Sequence, residues 1–399
     1  MRVSTAHTYD LAIESLQKRQ TEMANSQVQL TTGKKVNLPS DDPIAAARAE
    51  RALATIGRSD ANQRALDASK NVLQIAESSM GDAVELLQQA RESLVAAGNA
   101  SYTSAERASV AKKLQNVRDQ LLIVANRPDG GGGYVFGGQG SATPPFVDDI
   151  GGVRFVGQGG EAIAPAGERM NLTVDGESVW LKASQGNGVF VTDADPGNSG
   201  SGWISVGSVS DPYSTPYLNS TSSAPYAIEF QVSAGVTTYT VNGGGPNPYK
   251  DGQAITVDGM SFTIKGAPAN NDKFSLSQAG KSLSVFDSLD RAIAALTARS
   301  QNNGTVTQAV NKGIADMDSV LSTMQGARSA TGESLNRLDG AQDRIAATKL
   351  SAQTARSDAE DLDMTSAISD FQAKQNGYQA ALQSYSMVQK MSLFQYLNT

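Results

Sequence analysis

The chain has 399 residues, enough for more than one hydrophobic core, because single cores stop growing near roughly 250–300 residues. Its 33 basic and 40 acidic residues give a formal charge of -7, which argues against nucleic acid or an anionic membrane as the main partner, since both need a dense basic patch. Cysteine is absent, so disulfide frameworks, thiolate nucleophiles and cysteine-bearing metal sites are excluded.

The first thirty residues carry Arg2, Asp10, Glu14, Lys18, Arg19 and Glu22 in a polar amphipathic pattern. They lack the apolar stretch of a secretory signal, and no run of about 18 apolar residues marks a membrane span anywhere in the sequence. Tyr9, Ile13, Leu16, Met23 and Leu30 follow a heptad seam once Gln20 and Gln27 are admitted to it. This first helix should stop near Gly33. A loop through Pro39 leads to Asp42 and Pro43, which are suited to the N-cap and first position of the next helix.

From Pro43 onward Leu66, Leu73, Met80, Leu87 and Leu94 recur at heptad spacing, with Ser69, Ala76, Ala83, Ala90 and Ala97 between them. The pattern predicts a helix roughly 80 Å long at about 1.5 Å per residue, ended by Gly98-Asn99-Ala100-Ser101. Thr103 and Glu106 then form a capping box, opening a helix with Val110, Leu114, Val117, Leu121 and Val124 on one face.

The middle of the chain is different in kind. Positions 130 to 280 hold 28 of the 38 glycines and 10 of the 13 prolines, residues that long helices expel, so this stretch reads as strands and turns. Apolar residues alternate with polar ones at Ile228, Phe230 and Val232; at Tyr239 and Val241; at Ile255 and Val257; at Met260, Phe262 and Ile264; and at Phe274 and Leu276. Half-buried antiparallel strands are expected there, with a turn at Asp258-Gly259. The Ser/Gly/Pro-rich stretch from about 185 to 225 is expected to be a long surface loop or linker.

The C-terminal flank mirrors the first. Phe286, Leu289, Ile293 and Leu296 share a face, a break follows at Asn302-Asn303-Gly304, and a long stripe runs through Val310, Ile314, Met317, Leu321, Met324, Leu335, Leu338 and Ile345. A last helix carries Met364, Ile368, Phe371, Tyr378, Leu382 and Tyr385. Any one stripe is accounted for by ordinary core packing of a bundle. Several long seams divided between the two ends of the chain predict that the ends pack together, with the middle as an insertion.

The fold class is therefore α+β: a long antiparallel, coiled-coil-like helical bundle built from both chain ends, with an inserted antiparallel β domain. The expected domains are an N-terminal assembly helix over 1–40, bundle segments over 41–145 and 281–358, the β-rich insertion over 146–280 and a C-terminal assembly helix over 359–399.

Chemistry-bearing motifs are scarce. The single histidine, His7, has no cysteine or carboxylate cluster beside it, which leaves zinc and Ser-His-Asp chemistry without support. Thr32-Gly33-Lys34-Lys35 is spelled like the end of a phosphate loop but lacks the upstream glycine and strand, and the turn Gly157 to Ala162 is followed by Pro165 where a nucleotide-binding helix should open. Asp41-Asp42 and Asp148-Asp149 are adjacent and do not face one another across a substrate. The cluster Asp358, Glu360, Asp361 and Asp363 precedes the last helix, where negative charge complements the helix dipole. No catalytic, cofactor-binding or metal-binding residue is expected.

The segment Thr32 to Leu38 followed by Pro39-Ser40-Asp41-Asp42-Pro43 resembles the N-terminal signature of the flagellin family, and its Ser-Asp-Asp-Pro form that of the family's hook–filament junction branch. Met1 to Thr5, Tyr134 to Gly138 with Pro145-Phe146, and Met391 to Leu397 are similar as well. Flagellins proper more usually read Asp-Asp-Ala-Ala-Gly after the loop. The resemblance implies a structural, non-enzymatic subunit at the junction between hook and filament, polymerising through its terminal helices. It further implies copies of itself, other hook-associated proteins and flagellin as partners, export through the flagellar type III apparatus to the extracellular flagellum, and a cytoplasmic export chaperone at the C-terminal helix. The assembly interface is expected at Ile13, Leu16, Met23, Leu30, Ile368, Phe371, Tyr378, Leu382, Tyr385 and Leu393. The alternatives are a filament subunit, or a coiled-coil adhesin or phage fibre, which would be a parallel trimer with no need for both ends in one bundle.

Overall fold

The computed structural model describes residues 5–99, 102–140, 142–160, 172–218, 224–298 and 303–397, with side chains described from 10 to 387. Two compact units emerge: residues up to Ala65 together with those from Ala341 onward, and Leu66–Gly340. The helices of the N-terminal flank are α1 (Thr5–Thr32), α2 (Pro43–Ala97) and α3 (Ser104–Ala125); those of the C-terminal flank are α5 (Val285–Thr297), α6 (Asn303–Glu360) and α7 (Met364–Leu397), and a one-turn helix, α4 (Gly176–Trp180), precedes the main strands.

In the larger unit, the heptad positions of α2 form the centre of the helical core. Leu66, Leu73, Met80, Leu87 and Leu94 are all buried, as are Ala76, Ala83, Ala90 and Ala97 beside them. Burying each large side chain is worth about 1.5–3 kcal/mol, more than helix propensity supplies. Val310, Met317, Leu321, Met324 and Leu338 of α6 are buried too, and ion pairs between Arg91 and Asp318, Glu77 and Arg328, and Lys70 and Asp339 set the two helices antiparallel. The capping box of α3 forms as expected: Glu106 N donates to Thr103 Oγ1 at 3.3 Å and Thr103 N to Glu106 Oε2 at 2.7 Å. Val110, Leu114, Val117, Leu121 and Val124 are buried, and α3 packs against α5.

Between these helices, β1 (Phe146–Asp149) and β2 (Gly152–Phe155) form a hairpin. Arg118 of α3 reaches it: its guanidinium donates to both oxygens of Asp148 at 2.7 and 2.8 Å and to Asp290 of α5 at 3.1 Å. An aromatic cluster closes the core, with Trp180 stacked on Phe286 at 6.0 Å between ring centres and edge-on to Phe136 at 5.5 Å and Phe146 at 6.2 Å. The residues around Trp180 therefore pack with the helices rather than with the sheets that follow.

Strands β3 (Ala183–Ser184) and β13 (Lys281–Leu283) pair with each other where the chain leaves for the sheets and where it returns. Between them lie β4 (Phe190–Ala194), β5 (Trp203–Ile204), β6 (Ser208–Val209), β7 (Tyr226–Ser233), β8 (Val236–Val241), β9 (Asn247–Pro248), β10 (Ala254–Val257), β11 (Met260–Lys265) and β12 (Lys273–Gln278). One antiparallel sheet has the order β4-β12-β7-β8-β9; in the other, β11 pairs with β10, β5 and β6. Phe190, Ile204, Phe230, Phe262, Phe274 and Leu276 form their shared core. The Asp258-Gly259 turn closes β10 onto β11 with φ of 42° and 75°, and a Cβ on Gly259 would fall 2.2 Å from the Asp211 carbonyl oxygen, so glycine is required there.

The stretch from 185 to 225 is not a surface loop where it is described. It supplies β4, β5 and β6, buries Phe190, Ile204 and Tyr217, and anchors Tyr217 through a hydrogen bond from its hydroxyl to Ala224 O at 2.9 Å. Two of these strands have only two residues each, too few to display alternation, and their pairing comes from β11, distant in sequence.

Candidate assembly surface

In the smaller unit, α1 and α7 lie antiparallel, as three linkages in register show. Leu362 N donates to Gly33 O at 2.9 Å, Lys374 Nζ to Ser26 Oγ at 2.8 Å, and Gly377 lies against the Arg19 guanidinium. The side chains turned inward along this pair include Leu16, Met23, Leu30, Phe371, Tyr378 and Tyr385, all half-buried. Ile13, Ile368 and Leu382 are exposed, and the side chain of Leu393 lies outside the described residues. The heptad pattern thus combines two populations: six residues that join α1 to α7 within the chain, and three that remain open to solvent.

At the root of the pair, the chain from Gly33 to Pro43 is folded into a clasp. Gly33 ends α1 with φ of 70°, a left-handed conformation that suits glycine. Lys34 then forms an antiparallel bridge with Asp361, and Lys35 N donates to Glu360 O at 2.7 Å. Lys34 Nζ pairs with Glu360 Oε2 at 2.8 Å, and Lys35 Nζ donates to Asp358 O at 2.5 Å. Asp41 Oδ2 accepts from Asn37 N and Leu38 N, while Asp42 Oδ1 accepts from Ile44 N and Ala45 N as the cap of α2. On the other strand of the clasp, Asp363 Oδ1 caps α7 by accepting from Thr365 N at 3.0 Å. Hydrogen bonds from the Lys34 ammonium hold the Glu360 carboxyl below its ordinary range, and those from Ser366 and Thr365 do the same for Asp363.

Where they are described, the motifs weighed for chemistry are occupied structurally. The lysines after Gly33 bind the far end of the chain, Gln158 O in the glycine-rich turn accepts from Gln139 N at 2.9 Å, and Asp148 pairs with Arg118 while Asp149 faces Arg154. Ala162 and the side chain of His7 lie outside the described residues. Among the described residues, no group of three or more His, Cys, Asp or Glu is placed to hold a metal ion, and no helix is long and apolar enough to cross a membrane.

What the smaller unit does present is apolar surface. Ile44 is 67% exposed, Leu38 62% and Leu350 64%, and Leu11, Val28, Leu53, Met364 and Met387 are exposed as well. The sequence stripe includes Met364 but not the others, which lie off the heptad positions that mark the seam. Between the start of α2 and the end of α6 there is also an open groove of about 900 Å³, lined by Ala52, Ala347, Ala352 and Ala355 with Arg48 and Arg51. Alanines leave room for another element to approach closely.

Comparison with known proteins matches residues 3–141 to the bacterial flagellin N-terminal helical region and residues 314–397 to the bacterial flagellin C-terminal helical region. The chain belongs to the flagellin family. Among curated relatives in this family, flagellar hook-associated protein 3 of Salmonella typhimurium is 35% identical over 160 residues, covering 38% of this chain and 48% of that protein. Flagellar hook-associated protein 3 of Escherichia coli is 36% identical over 171 residues, covering 41% and 50%. The chain thus spans about half the length of the curated relatives it matches. Solved structures with the same fold include the flagellar junction protein FlgL from Legionella pneumophila, at 25% identity and a TM-score of 0.64 over 71% of this chain and 97% of that one. FlgL from Xanthomonas campestris matches at 26% identity and 0.67, over 77% and 99%. The flagellin-family matches thus fall on both flanks, with the β sheets between them.

Proposed function

We propose that this chain is a structural subunit of the bacterial flagellum, an adaptor at the junction between hook and filament that polymerises through α1 and α7. The observation that carries the reading is the clasped pair of terminal helices with unburied apolar side chains along it, in a chain whose curated relatives are named hook-associated protein 3. A helix pair that leaves Ile13, Ile368 and Leu382 in water gains stability when neighbouring subunits cover them. On this reading the partners are copies of the chain, other hook-associated proteins and flagellin, and an export chaperone meets α7 before the chain passes through the type III apparatus. The subunit carries out no catalysis.

Immunogold labelling of flagellated cells tests the assignment. A single band of label between hook and filament supports it. Label along the whole filament would make the chain a filament subunit, and label elsewhere on the cell would favour an adhesin.

A further inference from the structure

The chain contains four Asn-Gly pairs: Asn187-Gly188, Asn242-Gly243, Asn303-Gly304 and Asn376-Gly377. At such a pair the glycine amide nitrogen can attack the asparagine side-chain carbonyl, because the glycine has no side chain to obstruct the approach. The fold treats the four differently. Gly188 N is already committed to Gln185 O at 2.9 Å, and both ends of the Asn187 amide are bound: Oδ1 accepts from Val189 N and Phe190 N, and Nδ2 donates to Gly207 O. Gly304 is wedged against Ser201, whose carbonyl carbon would lie 2.5 Å from an added Cβ. Asn376 and Gly377 lie inside α7, where the backbone amide is held in the helical ladder.

Asn242-Gly243 is the exception. Both residues are exposed in the turn after β8, with φ of 48° and 71°, and among the described residues nothing accepts a hydrogen bond from Gly243 N. Ala227 N donates to Asn242 Oδ1 at 2.8 Å, which polarises the side-chain carbonyl as an oxyanion donor does. The leaving amide faces solvent.

We propose that Asn242 is a site of spontaneous covalent modification, converting to aspartate and isoaspartate through a cyclic imide. Gly243 N gives its proton to water or hydroxide and bonds to Asn242 Cγ; the Cγ–Nδ2 bond breaks and ammonia leaves with a proton from solvent. Water then adds to either imide carbonyl and opens the ring, restoring the original backbone as aspartate or routing it through the side chain as isoaspartate. Either product adds a negative charge to the turn between β8 and β9. Isoaspartate also lengthens the main chain by a methylene and disturbs the Ala227–Asn242 pairing beside β7.

The test is to incubate the folded full-length chain at mildly alkaline pH and follow all four sites by peptide mass mapping, with a denatured sample in parallel. Asn242 should exchange NH2 for OH at least about tenfold faster than Asn187 and Asn303 in the folded chain, equivalent to about 1.4 kcal/mol in barrier. It should give two chromatographically distinct products, and the four rates should converge on denaturation. Gly243→Ala should slow the site while leaving the others unchanged. Conversion of Asn187 or Asn303 at the rate of Asn242 in the folded chain overturns the proposal, as does an Asn242 that reacts only after denaturation.

Discussion

Lys34 Nζ meets Glu360 Oε2 at 2.8 Å, so a residue two positions past the end of α1 is ion-paired to the last residue of α6. The hydrogen bond from Lys34 is the main reason the Glu360 carboxyl titrates below its reference value of 4.5, with burial opposing it. A carboxyl whose folded pKa is depressed contributes stability that is present above its unfolded pKa and lost as the pH falls through the folded one. Glu360→Gln should therefore weaken the clasp at neutral pH, by about 0.5–1 kcal/mol for a partly exposed pair. Parent and variant should converge well below pH 4.5. Amide exchange at Lys35 and Leu362 as a function of pH measures this, and a difference that persisted unchanged in acid would contradict it.

Leu87 is fully buried and Leu350 is 64% exposed. Leu87→Asp should lower the stability of the larger unit by several kcal/mol, a large share of a typical total of about 5–15. Leu350→Asp should change stability by no more than about 0.5 kcal/mol and, on the proposed function, impair assembly. Thermal melts of both variants and electron microscopy of flagella carrying the second separate the two effects; equal melting losses would be inconsistent with the burial difference.

Arg118 is buried while its partners Asp148 and Asp290 each keep a share of solvent. Arg118→Met leaves two carboxylates facing each other without a cation, which should cost about 1–3 kcal/mol. Adding Asp290→Asn should recover part of the loss by removing the repulsion. Urea unfolding of the single and double variants provides the measurement, and a double variant less stable than the single one would rule this account out.

The chain enters and leaves the sheets beside the β3–β13 pair, where Gln185 N donates to Gly280 O at 2.9 Å. Excising 187–278 and closing the gap with a short turn should preserve the helical circular-dichroism signal, because the sheets have their own core. Excising 153–271 should not, since that removes Trp180 from its stack on Phe286. Loss of helix in the first deletion would mean that the sheets are needed to fold the helices.

In the dilute isolated chain, α1 and α7 should exchange their amides much faster than residues 66–97. Their seam is half-buried at best, and ordering backbone costs about 1–2 kcal/mol per residue, a cost that on the proposed function is met when other subunits cover the pair. Slow exchange across 10–30 and 364–385 would show that the two helices suffice alone.

The sequence discloses helix and strand where the repeat is long or the cap is chemical. The heptads of α2 and the alternation at Ile228 and Phe230 of β7 and along β11 reappear as buried faces, Val232 near the end of β7 is exposed, and the Thr103–Glu106 box forms at the start of α3. It discloses less where structure depends on distant pairing. Two-residue strands such as β5 have no periodicity to detect, and the role of Lys34 is set by Glu360 at the other end of the chain. Nor does a seam repeat distinguish Leu16, which faces α7, from Ile13 on the open side: adjacent heptad positions have the same spelling, and only the axis of the neighbouring helix separates them.

The two tryptophans provide the molecule with built-in optical labels. Trp180 is sealed among Phe136, Phe146 and Phe286, while Trp203 is half-exposed on β5 beneath the Lys265 ammonium, 5.5 Å from its ring. The first should show blue-shifted emission until the helical core opens, and the second should be quenched by added iodide while the protein is still native. Replacing either with phenylalanine would leave a single-colour probe, one reading the helical core and the other the sheets, in the same intact chain.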